Sequence, residues 1–193
     1  MTKNRKLFED VDERSDSTQA SSIETLSVEQ SSWLKIWLWT LLISLISLIL
    51  VGGWTRLTDS GLSIVEWKPL TGMIPPFSSE GWIVEFEKYK SIPEFKLVNF
   101  AITMDEFKFI YWWEWGHRQL ARFIGFVWMV GFLILWIRNQ IPERWTFYFL
   151  AIGLLGALQA FLGWWMVSSG LDGQVVDVFS YRLAIHLTMA FII

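Results

Sequence analysis

Four long apolar stretches organise this chain: Ile36–Trp54, a run that follows Thr103 and ends near Ile137, Trp145–Val167, and a last one from Tyr181 to Ile193. A helix of roughly 20 apolar residues crosses the hydrocarbon layer of a membrane, so the first three stretches predict spans. The last is too short to cross, which predicts a fourth span cut inside its helix and a chain that is the front part of a longer protein. Thr103-Met-Asp-Glu106 has the pattern of a capping box, in which the Thr hydroxyl and the Glu carboxylate satisfy the first free amides of a helix. Trp33, Trp37, Trp39 and Trp54 flank the first run, and Trp145, Tyr148, Trp164 and Trp165 mark the ends of the third. Such amphipathic rings belong at the membrane–water boundary. The pattern predicts an all-α fold, a polytopic membrane helix bundle with four transmembrane spans, the fourth truncated.

The polar intervals give orientation. Arg138 to Arg144 is a short loop with two Arg, whereas Ser168 to Ser180 has no Lys or Arg, so the first is expected in the cytoplasm and the second outside. Residues 1–32 set Lys3, Arg5, Lys6 and Arg14 against seven acids, the composition of a disordered cytoplasmic tail. The tail resembles neither a secretory signal nor an acid-poor transit peptide, which favours a cell inner membrane over a mitochondrial one. Residues 33–193 then form the bundle, with 55–110 as its external loop. In that loop Gly72, Pro75 and Pro76 mark turns. Ser78 or Ser79 is placed to cap a helix on which Trp82, Ile83, Phe86 and Tyr89 recur at helical spacing. That pattern predicts an amphipathic helix lying on the membrane or covering the bundle, with a gating role for partner or substrate as the second reading.

Composition narrows the chemistry. The chain is 53% hydrophobic and 17% aromatic with 14 Trp, beyond what an ordinary soluble core holds. A net charge of −3 gives no nucleic-acid signal, and with no Cys the chain offers no thiolate ligand or covalent haem attachment. Any metal here relies on His or carboxylate.

Against this apolar background, Glu114, His117, Arg118 and Arg122 head the second span, and such groups are costly in lipid. Glu114 lies three residues before His117 and four before Arg118, so the three share a helix face and Glu114 can pair with Arg118. From His117 to Ile137 a helix rises about 30 Å, which places His117 near the outer membrane edge. The chain also echoes itself: Gly53-Trp54 and Ser60-Gly-Leu62 end the first span, and Gly163-Trp164 and Ser169-Gly-Leu171 end the third. After each comes an outer loop and then a helix carrying one of the only two His, His117 or His186. Two hairpins of one design bring both imidazoles to similar depth. Facing imidazoles suit the axial positions of a haem iron, with Arg118, Arg182 and Arg56 available for its propionates. Zinc fits less well, since its sites need three or four protein ligands. Each His also has a simple reading as a hydrogen-bonded packing residue, and each Arg as a partner for carbonyls, Glu114 or lipid phosphate.

Gly52 to Pro69 with Gly72 and Pro75-Pro76, Glu114-Trp-Gly-His-Arg118, and Tyr181-Arg-Leu-Ala-Ile-His-Leu187 together resemble haem A synthase, in its mitochondrial and alphaproteobacterial branch. The likeness runs from about Trp33 to Ile193. It implies the first half of a duplicated eight-helix protein that oxidises the C8 methyl of haem O to a formyl group, making haem A for cytochrome oxidase. It implies haem b as a prosthetic group and haem O as substrate, with His117 and His186 as axial iron ligands and Glu114 as a catalytic carboxylate that stabilises a developing cation or relays protons. Haem O synthase, membrane lipid and a second copy of the chain are the partners expected of it, and this half alone is expected to be inactive. The paired Cys of some bacterial relatives are absent here. A bis-His membrane b-type cytochrome for electron transfer, and a transporter or assembly factor without catalysis, are the competing readings.

Overall fold

The computed structural model describes residues 32–171 and 175–193. The predicted tail lies outside these residues except for Ser32, which already belongs to a helix. Among the described residues six α-helices follow in order: α1 Ser32–Leu57, α2 Ser79–Lys90, α3 Pro93–Leu97, α4 Met104–Ile137, α5 Glu143–Leu171 and α6 Ser180–Ile192, with a 3₁₀ turn at Thr71–Met73. Among the described residues there is no strand.

Among the described residues three helices, α1, α4 and α5, are long and apolar enough to cross a membrane. They reach past the apolar runs because helix ends are set by capping chemistry rather than by hydropathy. Thr103 caps α4 through the full reciprocal box with Glu106, as its spacing predicts. At the far end Asn139 adopts φ 53°, and the Asn139 and Gln140 amides donate to the carbonyls of Trp136 and Leu135. α1 ends the same way, with Asp59 at φ 49° and the Asp59 and Ser60 amides donating to Arg56 and Thr55. Both are left-handed caps that satisfy the last carbonyls and turn the chain sharply.

The long helices meet at small residues. Trp37 of α1 donates its indole N–H to the Val127 carbonyl of α4 at 3.0 Å, and its ring occupies the space over Gly131. Trp128 fills the space over Gly153 of α5. Trp37, Phe132, Leu135, Ile141 and Phe149 form the core there. Outer faces leave Ile43, Leu50, Phe126 and Leu154 exposed, an arrangement that water penalises and lipid accepts. α6 packs along α5.

Residues 58–103 form a cap over one end of the bundle. Ser78 caps α2, and the Phe86 and Tyr89 rings pack at a tilt against Phe107 of α4 while Trp82 meets Tyr111 edge-on. α2 therefore covers the bundle. Ile83, on the same predicted stripe, is exposed. The cap core of Leu62, Ile64, Phe86, Tyr89, Ile92, Phe107, Ile110 and Tyr111 is separate from the core between the long helices.

Glu94 of α3 is buried in this cap, and its Oε2 has no hydrogen-bond partner. Burial, reinforced by the negative charges of Glu114, Asp59 and Asp177, pushes its carboxyl up from 4.5 to about 8. Between these values the folded chain retains a proton that the unfolded chain has lost. Its contribution to stability is therefore full below the lower value and declines as pH rises through the window. Glu94→Gln should remove that dependence, so amide exchange in α3 should lose its sensitivity to pH after correction for intrinsic rates.

Candidate functional site

The Glu114 face of α4 holds down the Gly52–Pro69 motif. Glu114 Oε2 accepts hydrogen bonds from Ser63 Oγ and the Ile64 amide, both at 2.8 Å. Its Oε1 pairs with Arg118, confirming the pairing expected from their spacing. Arg118 also donates to the carbonyls of Ile64 and Glu66 at 2.9 and 3.1 Å. One turn further, Arg122 donates to the carbonyls of Lys68 and Pro69, and Gln119 to that of Met73. A buried carboxylate thus holds three donors, and the loop's carbonyls hold the cations. A cavity of about 320 Å³ lies between this loop, α2 and α4, lined by residues including Glu66, Lys68, Arg118 and Arg122 but neither His.

The two imidazoles occupy seats of one design. A Cβ on Gly52 of α1 would stand 2.8 Å from His117 Cε1, and one on Gly163 of α5 would stand 2.9 Å from His186 Cε1. The His117 ring faces the backbone carbonyl of Leu48, and the His186 ring faces that of Gln159. Each carbonyl comes four residues before its glycine, so each ring lies along one turn of the neighbouring helix. Both Nδ1 atoms are buried without a hydrogen-bond partner. The seats align Gly52 with Gly163, a register one residue away from the Gly-Trp echo in the sequence. Tryptophan is conspicuous in a sequence, but the ring's contact selects the glycine.

The predicted cations have definite partners. Arg182 donates to the Trp165 carbonyl at 2.6 Å and lies over the Trp165 ring, one helical turn before His186. Arg56 bridges Asp59 and Asp177, tying the end of α1 to the segment before α6. Sequence reasoning passed over Gln159, whose side-chain amide donates to the His186 carbonyl at 3.0 Å. A lone amide inside an apolar run was the available signal. It also passed over Ser63, an ordinary loop residue until Glu114 is seen beside it.

The donor set fits a haem better than a bare ion. Two half-buried imidazoles, each with a buried Nδ1, are seated against packed helices, and among the described residues no group of three or more His, Cys, Asp or Glu is placed to hold a metal. The seats also make a stability prediction. Gly52→Ala should lower the thermal stability of the detergent-solubilised protein by about 1–3 kcal/mol, since His117 or α1 must move to admit the methyl group. Gly116→Ala, where nothing lies within 4 Å of the added carbon, should not.

Residues 35–193 match the family model of the cytochrome oxidase assembly protein COX15-CtaA. The chain is 48% identical to the haem A synthase of Cereibacter sphaeroides over 193 residues, covering 99% of this chain and 49% of that protein. It is 49% identical to the haem A synthase of Dinoroseobacter shibae, covering 100% of this chain and 51% of that one. With the haem A synthase of Paracoccus denitrificans it shares 51% identity over 83% of this chain and 42% of the relative. No solved structure matches the chain. The chain spans about half the length of these curated relatives. With its three span-length apolar helices, it is a multi-pass membrane protein and belongs to the COX15-CtaA family of cytochrome oxidase assembly proteins.

Proposed function

We propose that this chain is the first four-helix bundle of a haem A synthase, in which His117 and His186 hold the iron of one haem while the C8 methyl of haem O is oxidised to a formyl group. The single observation that carries this reading is the pair of matched seats: two histidines, each over a glycine and facing a helix carbonyl, each with a buried Nδ1 that lacks a partner. A haem held there supplies redox-active iron. Haem b as the resident group, haem O as substrate, and haem O synthase or a second copy of the chain as partners belong to the same proposal.

The chain's own groups have assigned tasks. Arg118 and Arg182, at the outer ends of the two seats, provide positive charge for propionates, and Arg56 adds a third cation beside Asp177. Glu114 lies one helical turn from His117. Its carboxylate stabilises positive charge developing at the reacting carbon or passes a proton, while Ser63, the Ile64 amide and Arg118 fix its position. The Trp-rich helix ends stand at the two membrane faces. The Arg138–Arg144 loop and the N-terminus lie on the cytoplasmic side of the cell inner membrane, with the cap outside.

Haem extraction from cells carrying and lacking the full-length protein tests this function. Gain of haem A at the expense of haem O supports the synthase. A protein that is red but leaves the haem types unchanged is an electron-transfer cytochrome. A colourless one is a transporter or assembly factor.

A further inference from the structure

The two seats differ in the residue whose carbonyl the ring faces. Beside His117 the carbonyl belongs to Leu48, whose side chain has no polar atom, and beside His186 it belongs to Gln159. Gln159 Nε2 is committed to the His186 carbonyl at 3.0 Å. The amide cannot turn over without setting two oxygens against each other. Its Oε1 is buried and has no partner. An acceptor left unmade in an apolar interior costs about 1–3 kcal/mol. A simple brace between α5 and α6 would need only the donor.

We propose that Gln159 Oε1 is a specificity-determining acceptor for the hydroxyl on the long apolar side chain of haem O, a donor that haem B lacks. This rests on the proposed haem A synthase function and assigns the haem O substrate, rather than the resident haem b, to this bundle. Gln159 lies one turn from Gly163 along α5, on the same face and next to the His186 seat. A hydroxyl arriving there completes the amide's hydrogen bonding, whereas a haem with no such donor leaves the oxygen unpaired. Discrimination of this kind is strong because a site built for a hydroxyl penalises a ligand without one.

The full-length protein, purified in detergent and equilibrated with an equimolar mixture of haem O and haem B, provides the test. The bound haems are extracted, the resident haem b present before equilibration is subtracted, and the O:B ratio of the haem taken up is measured, while the absorbance of the bound haem reports whether His ligation is intact. Gln159→Leu, which copies the other seat, should lower the O:B ratio about tenfold while the His-ligated spectrum persists. Gln159→Glu, protonated in this apolar setting, keeps a donor for the His186 carbonyl and an acceptor for the ligand, and should preserve the ratio. A preference for haem O that survives Gln159→Leu overturns the assignment, as does an equal loss of both haems, which a purely structural brace predicts. A wild-type protein with no preference overturns the haem O reading itself.

Discussion

Replacing His117 or His186 by Ala should abolish haem binding by this bundle, with the two substitutions giving the same spectral loss. The equivalence follows from the seats. Each ring lies over a glycine one turn beyond the carbonyl it faces, so removing either imidazole would take away one of the two groups proposed to hold the haem. In the full-length protein the change should appear as a loss of low-spin absorbance without loss of folded protein, because neither ring is needed for the aromatic core of the cap. Retention of the full haem spectrum by either variant would show that its imidazole is only packing.

The second large effect is expected at Glu114. Glu114→Gln keeps an acceptor for Ser63 and the Ile64 amide but removes the charge that faces Arg118. Bound haem should remain, while haem A formation falls by about 10²–10⁴, the range for loss of a charge-stabilising or proton-transferring group. Glu114→Ala should do more. It strands Arg118 and frees the Ser60–Pro69 loop, at a cost of about 3–5 kcal/mol typical of a broken buried pair. Measuring haem content, product and thermal stability in both variants separates the roles. A Gln variant with full haem content and full haem A production would leave Glu114 as a loop clasp only.

Much of this architecture was legible because it rests on short-range rules. The apolar runs located the long helices, and Thr103 with Glu106 located the start of α4, since one turn of backbone determines that cap. The Glu114–Arg118 pair followed from spacing on a single helix. Contacts made between helices were less visible. The echo suggested that His117 and His186 are matched, yet the seat glycines Gly52 and Gly163 depend on which turn of a neighbouring helix meets each ring. The left-handed caps at Asp59 and Asn139 were also unforeseen, because both residues are polar and neither is Gly. Glu94 resembled one more surface acid. It becomes unusual only when α3 folds its side chain under the cap beside Tyr89 and Asn99. The cations show the same limit: Arg56, Arg118 and Arg182 were expected near the site, but their partners Asp177, Glu66 and Trp165 lie far away in the sequence.

The most direct test of the account is to incubate the purified full-length protein with haem O, oxygen and a reductant, and to follow the extracted tetrapyrrole by mass spectrometry. The expected product is heavier by one oxygen and lighter by two hydrogens, with the change located at C8, and it should be absent when His117 and His186 are both Ala. Haem O that binds to the wild-type protein and returns unchanged, or conversion that persists without both imidazoles, would contradict it.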